Sequence, residues 1–304
     1  MTYSIVARDP ETGRLGVAVQ TRYFGVGSVV PWAEPGVGAV ATQSFTEPSY
    51  GPRGLELMRG GVSSLEALEA LLAEDDGRDL RQVAMVDASG TVAVHTGARC
   101  VEATGHAVGD GVSAQANMME RDTVWDAMLG AFAQAEGEEF PERLMAALRA
   151  AESEGGDMRG RQSAALLVVE GDASVPAWRR MVDLRVEDHP DPVTELERLL
   201  RLARAHEHAG RGNDHAMAWR MEEAVAEMER AHTLAPEDDQ IALWYGLMLP
   251  ATGRPMEGRE LVERARAANP RWAAYLRRFA ASGLMPNDPA FLDAIMPLDP
   301  PDAT

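Results

Sequence analysis

From Thr2 to Thr42, short apolar runs alternate with turn signals: Thr2 to Arg8, Leu15 to Thr21, a break at Gly25 and Gly27, then Gly36 to Thr42. Runs of this length with period-two alternation predict strands. Asp9-Pro10-Glu11-Thr12-Gly13-Arg14 joins the first two as a hairpin, since proline fixes φ and glycine accepts positive φ. The period then lengthens. Gly51 to Gly60 and Ser63 to Glu74 predict two helices, the second capped by Ser63 or Ser64 with Leu65, Leu68, Leu71 and Leu72 as its apolar positions. Strands return at Gln82 to Asp87, Thr91 to Thr96 and Gly111 to Gln115, with Ala88-Ser89-Gly90 as a turn. Helices follow at Arg121 to Ala135 and Pro141 to Glu152, and strands at Ser163 to Val169 and Met181 to Val186.

Strands in pairs and helices in pairs do not make a doubly wound sheet, which alternates single strands with single helices. They fit two stacked antiparallel sheets with helix pairs outside, an α+β fold of the four-layer αββα type. After His189-Pro190-Asp191-Pro192 the pattern is helical throughout, so domains are expected at 1–190 and 191–304. The second contains a repeat. Pro236 and Pro270, Gly212 and Gly246, Ala224 and Gly258, and Ala231 and Ala265 are four pairs that share one period, 34. That period, with small residues where two helices cross, resembles the tetratricopeptide repeat. The tryptophan of that motif is His208 in one copy and Ala242 in the other, so both copies are degenerate.

Composition narrows the chemistry. All 29 basic residues are arginine, which excludes Schiff-base chemistry, the P-loop and lysine-assisted nucleophiles. A formal net charge of −19 without an Arg-rich stripe argues against nucleic acid and anionic membrane as partners. Cys100 is the sole cysteine and is expected as a small core residue in a strand, so neither an intrachain disulfide nor a cysteine zinc site is available. No His-Glu-x-x-His motif occurs. His206 and His208 face different sides of a helix, and His189 between prolines suits either a base or a linker contact. No metal and no cofactor are expected. With no long apolar run and no leader, the expectation is a cytoplasmic protein.

One residue carries a complete catalytic unit. Thr2 follows the initiator Met1 at the start of the first strand, and removal of Met1 leaves a hydroxyl and a free α-amine on one residue. Such an amine titrates near neutrality and can act as base to its own hydroxyl. Ser4 falls on the same strand face, as rival nucleophile or as support. Gln43 and Asn117 stand at strand ends, where an amide can donate to an oxyanion, or else make a turn contact and a helix cap. Asp157, Arg159 and Gln162 lie in a Gly-rich loop. There an arginine can bind a carboxylate, or simply pair with Asp157. Arg22 is a further source of positive charge.

Four segments resemble a bacterial family known as domain of unknown function 1028: Thr2-Tyr3-Ser4-Ile5-Val6-Ala7-Arg8-Asp9-Pro10-Glu11-Thr12-Gly13, Pro48-Ser49-Tyr50-Gly51-Pro52-Arg53-Gly54-Leu55, Gln115-Ala116-Asn117-Met118, and Asp157-Met158-Arg159-Gly160-Arg161-Gln162-Ser163. Leu15 to Gln20, Gly36 to Gln43 and Asp188 to Pro192 extend the likeness to about two thirds of the chain. The resemblance implies the αββα sandwich of N-terminal nucleophile hydrolases without implying a substrate. Proteasome-type members add a lysine near the threonine, which this chain lacks. Hydrolysis of a small amide or peptide by Thr2 is therefore the expectation. The alternative is a non-catalytic binding module whose helical tail recruits a protein or cell-wall partner. A homo-oligomer is also expected.

Overall fold

The computed structural model describes residues 2–283. Met1, on whose removal the expected nucleophile depends, and residues 284–304 of the expected tail domain lie outside the described residues. The chain forms two compact units, one ending at Leu199 and the other beginning at Leu200.

The first unit is mixed α/β with antiparallel sheets. It begins with the hairpin read from the sequence, β1 (Thr2–Arg8) and β2 (Leu15–Thr21), with Gly13 at φ 72° in the turn. Then come β3 (Pro31–Glu34), β4 (Gly38–Ser44), α1 (Tyr50–Arg59), α2 (Ser64–Glu74), β5 (Arg81–Asp87) and β6 (Val92–Thr96). Next are β7 (Gly105–Gly109), β8 (Val112–Asn117), α3 (Val124–Gln134), α4 (Phe140–Ser153), β9 (Ser163–Val169) and β10 (Val182–Val186). One sheet has the order β10-β9-β2-β1-β8-β7 and the other β3-β4-β5-β6. The sheets meet through β1 and β2 against β4, and through β1 and β8 against β5. Val6, Val17, Val19, Ala39, Ala41, Ala84 and Val86 form the apolar core between them. Helices α1 and α2 pack on the four-stranded sheet, and α3 and α4 on the six-stranded one.

Most boundaries agree with the sequence pattern to within a few positions. Ser63 caps α2 in a reciprocal box with Glu66. Leu65, expected on the apolar face, is exposed, and Ala67 takes its place beside Leu68 and Leu71. Strands β3 and β7 lie outside the predicted set: β3 is very short, and β7 is an edge strand whose alternating residues His106 and Val108 face solvent. Cys100 is buried, though in the loop after β6 rather than in a strand.

The second unit is helical, as the tail pattern predicts. It takes in most of α5 (Pro192–Met217), then α6 (Met221–Leu234), α7 (Asp239–Met248), α8 (Pro255–Ala268) and α9 (Arg271–Ala281). The expected boundary at 190/191 precedes α5, and the division between the units falls inside that helix. The period of 34 reaches into the backbone. Helices α6 and α8 begin and end one period apart, and so do the left-handed residues just before them, Trp219 (φ 59°) and Gly253 (φ 80°). At the α7–α8 crossing a Cβ on Gly246 would lie 2.6 Å from the carbonyl oxygen of Gly258, so the repeated small residues are where the helices touch. Among the described residues no helix is long and apolar enough to cross a membrane.

Candidate active site

Alternation along β1 sends Thr2, Ser4 and Val6 towards the facing sheet, while Tyr3 turns to the helix side and donates its phenol to Glu152 of α4. The hairpin register, Tyr3 opposite Gln20, carries Thr2 alongside Thr21, and the two Oγ1 atoms are 3.2 Å apart. On its other side Thr2 is the register partner of Asn117. Thr2 thus occupies the end of an interior strand, flanked by the ends of β2 and β8.

Beneath Thr2 the space between the sheets is filled by amides rather than hydrocarbon. Gln43 donates from Nε2 to the main-chain oxygen of Thr2 at 3.2 Å, and Asn117 donates from Nδ2 to the same oxygen at 3.3 Å. Both also donate to Gln82 Oε1, at 2.7 and 2.9 Å. Gln82 in turn donates to Thr96 Oγ1 and to the carbonyl of Ala116. Ser4 donates to Gln43 Oε1 at 2.7 Å and accepts from Gln115 Nε2 at 2.6 Å, and Ser113 completes the chain by donating to Gln115 Oε1. Ser4, Gln43, Gln82, Ser113 and Gln115 are wholly buried, so their mutual satisfaction is what makes burial tolerable.

Above Thr2 lies an open pocket of about 480 Å³. Its polar lining is Thr2, Thr21, Ser44, Thr46, Asn117 and Arg159. Tyr23, Val26, Val29, Val30, Phe45, Pro48 and Met118 complete the lining. Two non-glycine residues of the lining, Ser44 (φ 73°) and Met118 (φ 63°), hold left-handed backbone, a strained conformation that concentrates at functional sites.

Asp157 lies across the strand ends. Its side chain is fully buried, its Oδ2 accepts from the main-chain N–H of Arg22 after β2, and its backbone bridges to Met119 after β8. Arg159 donates to it from the main chain at 2.9 Å and from Nε and Nη2 at 3.3 and 3.0 Å.

The structure therefore brings Thr2, Asn117 and Arg159 to one pocket, with Ser4 and Gln43 directly below it. Ser4 is sealed off, with its hydroxyl committed to two glutamines. The Gln43 and Asn117 amides, expected to face an oxyanion, are turned on the carbonyl of Thr2 itself and on Gln82. Arg159 and Asp157 form the loop pair, and of the two Arg159 borders the pocket. Arg22 and Gln162 point elsewhere. Arg22 reaches the carbonyl of Arg161, and Gln162 donates to Asp188. His189 orders the linker through Asp191. Sequence reasoning misses two residues. Thr21 is legible from the hairpin register, because a turn at 9–14 aligns it with Thr2. Gln82 lies in the other sheet, and no local pattern points to it. Among the described residues no group of three or more His, Cys, Asp or Glu is placed to hold a metal ion.

The profile of the family of unknown function DUF1028 matches residues 2–196. Protein SPO2555 from Silicibacter pomeroyi, a solved structure of the DUF1028 family, is 34% identical, with 66% of this chain and 88% of that one covered and a TM-score of 0.60. Anbu (ancestral beta-subunit) from Yersinia bercovieri is 10% identical, covers 64% of this chain and 90% of its own, and has a TM-score of 0.34, too low to carry weight. No curated protein matches.

Proposed function

The chain belongs to the family of unknown function DUF1028, and from that premise we propose that its first unit is an amide hydrolase of the N-terminal nucleophile type. The order helix pair, sheet, sheet, helix pair supports the four-layer αββα sandwich of that class. One observation carries the catalytic assignment: Thr2 opens an interior strand at the floor of a pocket, with its carbonyl gripped by two amides. That grip fixes the residue by its carbonyl and leaves the chemistry to its hydroxyl and nitrogen.

Once Met1 is removed, the α-amine takes the proton of Thr2 Oγ1 as the oxygen attacks the substrate carbonyl, then delivers it to the leaving nitrogen. Gln43, Gln82 and Ser4 position the nucleophile from below. Asn117, on the pocket wall, stabilises the oxyanion by releasing one of its inner acceptors as substrate arrives, since such contacts tighten only in the reacting complex. The alternative, a binding module without catalysis, draws support from the same engagement of Asn117 and Gln43. In the tail, the backbone repeat at a period of 34 supports two degenerate tetratricopeptide-like repeats in a domain beginning near 191, a surface for a protein partner.

Intact mass of protein from its native host tests the first requirement. Loss of the Met1 residue is expected, and complete retention overturns catalysis by Thr2. Thr2→Ala should abolish amide turnover with unchanged far-UV circular dichroism, while Thr2→Ser should retain part of it.

A further inference from the structure

We infer that Thr21 positions the nucleophile: its hydroxyl holds Thr2 Oγ1 in the rotamer from which that oxygen attacks. This rests on Thr2 being the nucleophile. Gln43 and Asn117 grip the main-chain oxygen of Thr2, which fixes the backbone but not χ1. A threonine in a strand has more than one staggered well open to it, and a change of well exchanges the places of hydroxyl and methyl. A bond to the hydroxyl itself sets the well. Thr2 Oγ1 donates to Thr21 Oγ1 across 3.2 Å, and both residues line the pocket.

The sequence of β2 marks the position. Its face towards the second sheet carries Val17 and Val19, both in the core between the sheets. Alternation puts residue 21 next on that face. A third valine, nearly the same shape as threonine, would extend the hydrocarbon there. Instead a hydroxyl stands where β2 draws level with Thr2.

Thr21 is 1% exposed, and its backbone is held on both sides. It pairs opposite Ser163 of β9, and the main-chain N–H of the next residue, Arg22, donates to Asp157 Oδ2 at 2.9 Å. The acceptor is therefore in place before substrate arrives, as orientation of a reacting group requires. At 3.2 Å the bond is longer than an ordinary hydroxyl pair of about 2.5–3.0 Å. Bonds to a reacting group are often long until substrate binds, and then tighten.

Thr21 moves no proton in this scheme. The hydroxyl hydrogen of Thr2 turns about the Cβ–Oγ1 bond to the α-amine as the oxygen attacks. What Thr21 contributes is the share of molecules whose oxygen already stands in the attacking well.

Acylation by p-nitrophenyl acetate reads this share without the natural substrate. Thr2 Oγ1 bonds to the acetyl carbon, the ester bond breaks, and p-nitrophenolate leaves while the Oγ1 proton passes to the α-amine. Full-length protein that has lost Met1 is compared with Thr2→Ala, Thr21→Val and Thr21→Ser. Thr21→Val should lower the limiting rate about fivefold, the population that one hydrogen bond of this kind commands, at an unchanged half-saturating ester concentration. Thr21→Ser should restore the rate. Valine keeps the shape without the hydroxyl and serine the hydroxyl without the shape, so packing and positioning predict opposite orders. A Thr21→Val rate equal to wild type, a Thr21→Ser rate as low as that of Thr21→Val, or a loss confined to the half-saturating concentration overturns the inference and leaves Thr2 as nucleophile. If wild type acylates no faster than Thr2→Ala, the nucleophile assignment falls and the inference with it. Should Thr21→Val fail to fold, Thr21→Ala must show the same loss against Thr21→Ser.

Discussion

Asn117 donates to the side-chain carbonyl of Gln82 across 2.9 Å, a bond that ties β8 of one sheet to β5 of the other. Gln43 donates to the same oxygen, so a single acceptor aligns both amides that hold the carbonyl of Thr2.

Replacing Gln82 with leucine removes that acceptor and leaves buried donors short of a partner, each costing about 1–3 kcal/mol. Gln82→Leu is expected to lower stability by about 2 kcal/mol or more in urea unfolding. Turnover should fall further than the folded fraction, because Thr2 loses its alignment. A change confined to stability would mean that the amides hold the sheets without serving the nucleophile.

Trp219 adopts φ 59° and is almost fully exposed, while the equivalent residue one repeat later is Gly253 at φ 80°. A bulky residue in left-handed backbone is strained by about 1–3 kcal/mol, which glycine avoids. Trp219→Gly should therefore raise the thermal midpoint of the helical unit, by an increment of about 1 kcal/mol. Gly253→Trp should lower it.

At the helix crossings the two copies differ in tolerance. A methyl on Gly246 meets the main-chain oxygen of Gly258 at 2.6 Å, whereas one on Gly212 first meets Met228 Cγ, a flexible side chain, at 3.0 Å. Gly246→Ala should cost about 1–3 kcal/mol and Gly212→Ala distinctly less, as read from denaturant midpoints at unchanged m.

Acid should weaken the helical unit through Glu227. Burial pushes its carboxyl up, but hydrogen bonds from His208 and Arg211 outweigh this and hold it at about 2 against an ordinary 4.5. A depressed carboxyl stabilises the fold above its unfolded value and loses that contribution as pH falls from 4.5 towards 2. Thermal melts over that window should decline less steeply for Glu227→Gln than for wild type, with the variant the weaker of the two above pH 4.5.

Strand and helix order is legible in the sequence because hydrophobic period and turn chemistry are local. Thr2–Arg8, Leu15–Thr21 and Ser163–Val169 read directly as strands. Edge strand β7 is illegible because its alternate residues face solvent. The site is partly legible, since Thr2 and Asn117 end strands that the pattern outlines. The direction of each amide is not, because it depends on which residue of the facing sheet stands opposite. Gln82 reads as an ordinary polar residue until β5 is laid over β1 and β8.

Apolar side chains between two sheets attract without direction and tolerate small sliding of one layer over the other. The amides beneath Thr2 do not, because a shift of about an ångström breaks a hydrogen bond. The polar end of the interface therefore works like the key in a shaft. The hydrocarbon supplies the clamping force, and the glutamines set the angle and offset at which the layers lock. Variation in the valine and alanine layer should loosen the first unit as a whole, whereas a single misfitted amide should leave it compact and put the sheets, and the pocket above them, out of true.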